Sequence, residues 1–396
     1  MRFWGVTGTN GKTTTAWIAA EFINACPGLR AGHITTVEAF DGKRSFYTGY
    51  TTPPLARLRE IYAAMESNGC TDCVMEVSSH AIHQNRVGFG ETTTFAGGAF
   101  TNLSEDHLDY HKTMEEYFRV KLSFAERVAE GGLRARGWTD GPPASAGRRD
   151  FPAFIVCLDG GYGEEMLAAC GRLPLNVIPV SCRSPRYDLS GLRLIGDYNR
   201  SNVLVAAALA EAAGVPRDVV QAAIPKLEPR WGRLERVDNP AVRAEVYVDF
   251  AHTPDGLEKV LSAVREEMSR KSPTHPLTHS PNRLWVVFGA GGDRDPMKRP
   301  LMGAACARLA DRIVVTSDNP RGEDPMEIIR QILAGMPDRS GVVVEPDRAK
   351  AISYALANAE EGDVVVVAGK GHETTQEIAG VKHPFDDRDV VRRFLV

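Results

Sequence analysis

No stretch of the chain approaches the roughly 20 consecutive apolar residues of a membrane span, and the N-terminus lacks the layered pattern of a secretory leader. A cytoplasmic protein with no membrane partner is expected. Seven cysteines spread over 396 residues form no disulfide framework. Cys70 and Cys73 are spaced C-x-x-C, but no second pair completes a zinc site, and their place before Val74-Met75 favours small buried thiols. Net charge is -4, which gives no support to non-specific nucleic-acid binding, since that normally wants a basic surface. A complete G-x-G-x-x-G fingerprint is missing too, since Gly289-x-Gly291-Gly292 lacks its last glycine. There is no internal repeat.

What is present describes a globular α/β protein: 43% hydrophobic and 25% charged residues, with length for two domains. Its organising stretch is Phe3-Trp4-Gly5-Val6-Thr7-Gly8-Thr9-Asn10-Gly11-Lys12-Thr13-Thr14. The apolar run predicts a buried strand, the glycines and Asn10 a tight loop, and Thr13–Ala25 a helix burying Ile18, Ala19, Phe22 and Ile23 on one face. Strand, loop and helix in that order make a phosphate cradle: backbone N–H groups close around oxygens, the helix N-terminus adds positive charge, Lys12 reaches outer phosphates and Thr13 can hold Mg²⁺. The pattern is narrower than G-x-x-x-x-G-K-[ST], whose first glycine would fall at Val6.

Further along, Leu55–Met65 has helical spacing, and the strand Cys73-Val74-Met75 ends at Glu76, where a carboxylate either binds nucleotide-borne Mg²⁺ or is simply a strand-end residue. After the apolar run Phe95–Phe100 come Asp106, His107, Asp109 and His111. The two histidines lie four apart and would share a helix face, as metal ligands or as polar caps of a helix running to Phe124 that carries Lys121. Residues 131–150, rich in Gly, Pro and Arg, read as a surface loop. Asn199 and Asn202 open a helix after Gly196, as caps or as readers of an adenine edge.

From about Arg233 a new α/β unit begins, and residues 272–282 read as an exposed or disordered Pro/Ser/His loop whose histidines are poor metal candidates. Strands at Leu284–Phe288, Ile313–Thr316 and Val364–Ala368 each run into a polar loop carrying Arg294, Asp318-Asn319-Pro320-Arg321 or Gly369-Lys370-Gly371-His372-Glu373, the layout of a Rossmann-like ligand edge.

These ordered blocks, with TGTNGKTT, YTTP, EVSSHAIHQNRV, FTNLSEDHLDYH, GDYNRSN, GRLERV, VDFAHTPD, FGAGGDRDPMKRP, DNPR and GKGHE, resemble the Mur ligases from end to end, and within them the type that adds meso-diaminopimelate. The resemblance implies a P-loop-type central ATPase domain with a mostly parallel sheet over 1–233 and a Rossmann-like C-terminal domain over 234–396. It also implies ATP-dependent amide formation at a D-glutamyl-type carboxylate through an acyl phosphate.

Residue by residue, it implies nucleotide contacts from Gly8, Thr9, Asn10, Gly11, Lys12, Thr13 and Thr14, and adenine or ribose contacts from Asn199, Asn202, Asp249 and His252. Two Mg²⁺ would be held by Thr13, Glu76, His107 and a carbamylated Lys121, and Lys12, Glu76, His107 and Lys121 would form the catalytic set. A nucleotide-peptide acceptor would meet Thr51, Thr52, Ser78, Gln84 and Arg86. The diamino acid would meet Arg294, Asp318, Asn319, Arg321, Gly369 and Glu373, with Arg321 on the distal carboxylate and Glu373 on an ammonium. Family members of this type carry a further UDP-binding domain ahead of the nucleotide loop. Here the expectation is that the sequence is a piece of a longer chain or a natural short form served by a separate UDP-binding domain; the alternatives are an acceptor without UDP and a non-catalytic nucleotide-binding subunit. A monomer is expected.

Overall fold

The computed structural model describes residues 1–138, 141–143, 145–271 and 282–395. The segment 272–281, most of the predicted Pro/Ser/His loop, lies outside the described residues. The chain divides into two compact units, Met1–Arg193 with Asp197–Leu227, and Leu194–Gly196 with Glu228–Val396. The division falls before the expected 233/234 because the linker joins the second unit: Leu234 N–H donates to Asp249 Oδ2 at 2.6 Å, and Arg233 stacks over Phe250.

In the first unit the elements run β1 Arg2–Thr7, α1 Lys12–Asn24, β2 Ala31–Ile34, β3 Ala39–Phe40, β4 Ser45–Phe46, α2 Leu55–Ser67, β5 Asp72–Glu76, α3 Ser79–His83, β6 Phe95–Phe100, α4 Leu108–His111, α5 Met114–Ala135, β7 Ala153–Cys157, α6 Gly163–Cys170, β8 Asn176–Val180, α7 Asp197–Ala212 and α8 Arg217–Ala223. The sheet order is β4-β3-β2-β5-β1-β6-β7-β8, parallel from β2 to β8. Strand β1 is central, with Val6 beside Glu76 on β5 and Thr7 beside Phe100 on β6. Chain reversal from one side of β1 to the other opens a crevice at the strand C-termini, which is where the Gly8–Lys12 loop lies.

Cys73 and Met75 pack with Leu58, Tyr62 and Met65 of α2 and with Phe124 of α5 in one core cluster. On the opposite side α1 packs on α7, so α1 is buried around nearly its whole girth rather than along the predicted single face. Cys70 and Cys73 are buried free thiols, as expected. The predicted loop from residue 131 begins later, because α5 continues to Ala135 with Gly131 and Gly132 buried.

The second unit contains β9 Glu235–Arg236, β10 Glu245–Asp249, α9 Pro254–Lys271, β11 Leu284–Phe288, α10 Lys298–Leu309, β12 Arg312–Val315, α11 Pro325–Leu333, β13 Val342–Val344, α12 Arg348–Asn358, β14 Val364–Ala368, the hairpin β15 Thr375–Ile378 and β16 Val381–Pro384, and α13 Asp387–Arg393. Its sheet order is β13-β12-β11-β14-β10-β9, parallel except for β9. Strands buried on both faces need continuous apolar runs, and β14 is Val-Val-Val-Val-Ala with every residue buried. Asp249, Asp318 and Gly369 stand at or just past strand C-termini, side by side along one edge.

Candidate active site

The loop after β1 is shaped by its neighbours as much as by its own sequence. Thr9 N–H donates to the Asn102 carbonyl at 2.9 Å, Asn10 N–H to Asn102 Oδ1 at 3.0 Å, and Thr101 Oγ1 to the Asn10 carbonyl at 2.6 Å. Gly11 caps α1 at φ 82, left-handed backbone that a side chain disfavours, and an added Cβ would overlap Asn202 Oδ1. Lys12 Nζ folds back to the carbonyls of Gly8 at 3.0 Å and Thr9 at 2.8 Å, and Thr14 is buried.

Lys121 meets the same loop from α5, its Nζ donating to the Gly8 carbonyl at 2.8 Å from a fully buried position over the Tyr117 ring. Burial, and then repulsion by Lys12, push its ammonium well below the ordinary lysine range against the pull of Asp106. What lets α5 come this close is small residues in the sheet. Phe124, one turn after Lys121, lies over Gly5 and Gly98: a Cβ on Gly98 would stand 2.8 Å from Phe124 Cε1, and one on Gly5 would overlap Phe124 Cζ.

On the other side of the loop, Thr13 Oγ1 donates to Glu76 Oε1 at 2.7 Å. Glu76 is buried and also accepts from Thr36 N–H at 2.7 Å and Thr36 Oγ1 at 3.1 Å. Thr36 Oγ1 reaches Thr51 Oγ1 at 3.0 Å, while Thr52 Oγ1 donates to the Glu76 carbonyl at 2.9 Å and accepts from Ser78 N–H at 3.1 Å. Acceptor candidates Thr51, Thr52 and Ser78 thus adjoin the metal candidate Glu76. A threonine hydroxyl and a carboxylate side by side at a phosphate loop fit a hard divalent cation, which takes oxygen donors and keeps phosphate and water in its shell. Among the described residues no three His, Cys, Asp or Glu side chains gather as a metal site.

His107 and His111 stand at the two ends of one short turn, and both rings lie against His80 and Tyr117. His107 caps the four-residue α4 at φ 55, half-exposed and 3.4 Å from Asp106 Oδ2. His111 is buried, stacked on Tyr117 with its Nε2 2.9 Å from Ser79 Oγ. Burial and the nearby His80 and Lys121 push His111 down to about 4, and burial likewise lowers His107. The side chain of Asp109 lies outside the described residues. His80 bridges the pair, its ring 5.2 Å from His107 and 5.7 Å from His111, and it also lies 4.1 Å from Tyr110. Gln84 Nε2 reaches Tyr110 OH at 3.2 Å, and Arg86 Nε donates to Gln84 Oε1 at 2.7 Å, so these two join the histidine group.

Asn199 and Asn202 lie within α7 rather than capping it, and both are buried. Thr15 Oγ1 is 3.4 Å from Asn202 Oδ1, which ties α7 to the nucleotide loop's helix.

In the second unit, both Asp249 oxygens accept backbone N–H groups, from Leu234 at 2.6 Å and Ala251 at 2.8 Å. Burial still raises its carboxyl above the ordinary range. His252 Nδ1 lies 2.8 Å from the Phe250 carbonyl. Asn319 Nδ2 donates to Glu373 Oε2 at 2.9 Å, Gly369 takes φ 121 beside Asp318, and Arg321 Nη1 donates to the Gly292 carbonyl at 2.6 Å. Arg321 Nε also lies 3.6 Å from Glu377 Oε2. Arg294 is exposed, donating to its neighbour's carbonyl at 3.3 Å. Asn319, Glu373, Asp318 and Gly369 are brought together; Arg294 bonds to none of them.

Sequence reasoning passes over Thr36, His80, Asn102, Tyr117 and Lys370. The last has a visible signal, since it sits inside GKGHE at a strand end. Asn102 has one too, just past the apolar run that ends at Phe100, whereas Thr36 has none, because only the β2-β5-β1 order brings it to Glu76.

A phosphate cradle on a parallel sheet, followed by a Rossmann-like unit with a charged strand edge, defines a nucleotide-dependent α/β enzyme. Residues 6–152 match the Mur ligase middle domain, and residues 232–371 the Mur ligase, glutamate ligase domain. A relative from Synechococcus elongatus, UDP-N-acetylmuramoyl-L-alanyl-D-glutamate–2,6-diaminopimelate ligase, is 40% identical over 411 residues, 100% of this chain and 76% of its own length. The equally named protein of Geobacillus kaustophilus is 40% identical over 98% of this chain and 77% of its own. A solved structure of such a ligase aligns with TM-score 0.62 at 31% identity, covering 99% of this chain and 77% of the other. A folylpolyglutamate synthase from Mycobacterium tuberculosis shares the fold at TM-score 0.61 and 19% identity, over 93% of this chain and 88% of its own. The chain belongs to the Mur ligase family.

Proposed function

We propose that this chain is an ATP-dependent ligase joining meso-diaminopimelate to the D-glutamyl carboxylate of UDP-N-acetylmuramoyl-L-alanyl-D-glutamate, a step of peptidoglycan precursor synthesis in the cytoplasm. The observation that carries the reading is the convergence of Lys12, Lys121 and the Thr13–Glu76 pair on one loop, together with relatives 40% identical along the whole chain that are named for this reaction.

A carboxylate is a poor electrophile, so its oxygen first attacks the γ-phosphorus of ATP, giving an acyl phosphate and ADP. The amine of the diamino acid then attacks the acyl carbon, loses a proton and expels phosphate, leaving an amide. Lys12 offsets charge on the transferring group, and Gly8–Thr14 backbone groups hold the phosphates. Mg²⁺ would be held by Thr13 and Glu76, with a second ion at His107 and Lys121, and when bound it supplies compact positive charge to the phosphate oxygens. A buried amine held neutral can add CO₂, forming an N–C bond and losing a proton to give an anionic carbamate. The depressed ammonium of Lys121 supports that modification, which converts a cation into oxygen ligands. Asn199, Asn202, Asp249 and His252 would serve the adenosine. Thr51, Thr52, Ser78, Gln84 and Arg86 would serve the acceptor, with the protein acting as a monomer or with a separate UDP-binding domain.

The test is ADP release by the purified chain with ATP and Mg²⁺, comparing the UDP-linked dipeptide with a UDP-free dipeptide and meso-diaminopimelate with L-lysine. Release that needs both the UDP-linked acceptor and meso-diaminopimelate is expected. Release with neither acceptor would sink the reading.

A further inference from the structure

Lys370 is among the largest fully buried side chains in the protein, and a buried ammonium persists only where acceptors surround it. Its Nζ lies 3.0 Å from Asn319 Oδ1, 3.0 Å from Glu373 Oε2 and 3.8 Å from Asp318 Oδ1. Asn319 is held at both ends of its amide, since Oδ1 also accepts Glu377 N–H at 3.0 Å while Nδ2 donates to the same Glu373 oxygen at 2.9 Å. That pattern permits only one amide orientation. Glu373 therefore has one oxygen, Oε2, committed twice. Its Oε1 has no hydrogen bond among the described residues, and the side chain is about one-third exposed at 35%. A carboxylate pinned through one oxygen presents the other in a defined direction.

The charges around this lysine leave room for one more cation. Asp318, Glu373 and Asp387 supply three carboxylates against two cations, Lys370 and Arg348, with Arg348 paired bidentately to Asp387 at 2.7 and 2.8 Å. Asp318 Oδ1 is buried without a hydrogen-bond partner. Burial raises the Asp318 carboxyl above its ordinary range, while Glu373 is lowered, since Lys370 and Asn319 outweigh its own burial.

We propose that Lys370 is a positioning residue of the amino-acid pocket: it locks Asn319 and Glu373 from beneath so that Glu373 Oε1 is left to receive an ammonium of the incoming diamino acid. This rests on the ligase reading above and assigns the aiming of Glu373 at that substrate's amino end to a residue that does not touch it.

The experiment compares wild type with Lys370→Met, Glu373→Gln and the double variant, in the full chain. Lys370→Met is expected to raise KM for meso-diaminopimelate roughly 10- to 100-fold, the scale of a lost charged hydrogen bond, while KM for ATP stays unchanged. A merely structural lysine would move both. Should Lys370→Met alone fail to fold, the double variant restores charge balance, and its KM for the diamino acid is expected to stay close to that of Glu373→Gln. An unchanged KM in Lys370→Met, a parallel rise for ATP, or a double variant showing the full product of the single effects would each overturn the proposal. A wild type that ligates no diamino acid overturns the functional reading instead. Calorimetric titration of meso-diaminopimelate then still tests the lysine, since equal affinity in wild type and Lys370→Met would overturn it.

Discussion

The Nζ of Lys121 lies 2.8 Å from the carbonyl oxygen of Gly8, across a sequence separation of more than a hundred residues. One backbone carbonyl is thin compensation for a buried cation, and the ammonium is correspondingly depressed. Replacing it by Lys121→Met is expected to abolish ligation while leaving the fold at least as stable. The folded lysine binds fewer protons than the unfolded one between its depressed value and about 10.4, so wild-type stability rises with pH across that window. Without CO₂, the stability advantage of Lys121→Met over wild type should be largest at low pH and shrink toward pH 10. Chemical denaturation at several pH values reads this, and a pH-independent difference would contradict it.

Phe124 rests on Gly5 and Gly98, which sets the height of α5 above the sheet. Gly5→Ala is expected to cost about 1–3 kcal/mol by overpacking and to lower ligation by displacing Lys121. Adding Phe124→Leu to that variant should recover part of both. Thermal melts alongside ADP release check the pair, and recovery of neither would show that α5 is placed by other contacts.

Glu76→Gln keeps the shape and the hydrogen bonds from Thr13 and the Thr36 N–H but removes the charge. The Mg²⁺ concentration for half-maximal ADP release should rise, with turnover falling about 100-fold and melting temperature unchanged. Equal Mg²⁺ dependence in the two proteins would remove Glu76 from the cation site.

His111 and His372 are each pushed down to about 4, chiefly by burial. Between that value and the ordinary 6.5 the unfolded chain binds more protons than the folded one, so stability rises with pH through this interval and is lost on acidification. His111→Gln should flatten part of that slope. Urea midpoints between pH 4 and 7 provide the measurement, and an identical slope in wild type and variant would refute the assignment.

Arg321 sits in the DNPR loop with one nitrogen on the Gly292 carbonyl. Arg321→Lys should raise KM for meso-diaminopimelate roughly 10-fold or more through loss of a bidentate fork, and narrow the preference over L-lysine. Steady-state kinetics with both amino acids decide it.

The nucleotide loop, Glu76 and the DNPR and GKGHE loops are legible in the chain because each is local: a strand of apolar residues must end, and the polar residues just after it must lie at the sheet edge. The histidine pair is legible only in part, since a spacing of four brings both rings against His80 and Tyr117 but does not fix their unequal burial. Helical spacing is the only local signal, whereas Tyr117 and Ser79 draw His111 inward and leave His107 at the rim. Residues 197–202 look like a capped helix start, yet packing of α7 on α1 buries both asparagines.

By itself, then, the sequence determined the central apolar strands and which short motifs lie at their ends, but not the edge strands β9 and β13 or the β15–β16 hairpin, since hydrophobic period and loop chemistry depend on near neighbours alone. Only the tertiary structure decided that Thr36 hydrogen-bonds to Glu76, that Asn102 props the loop, and that Lys370 stands under Glu373. Those contacts arise from strand order and helix height, which are set by how the whole core fills its volume.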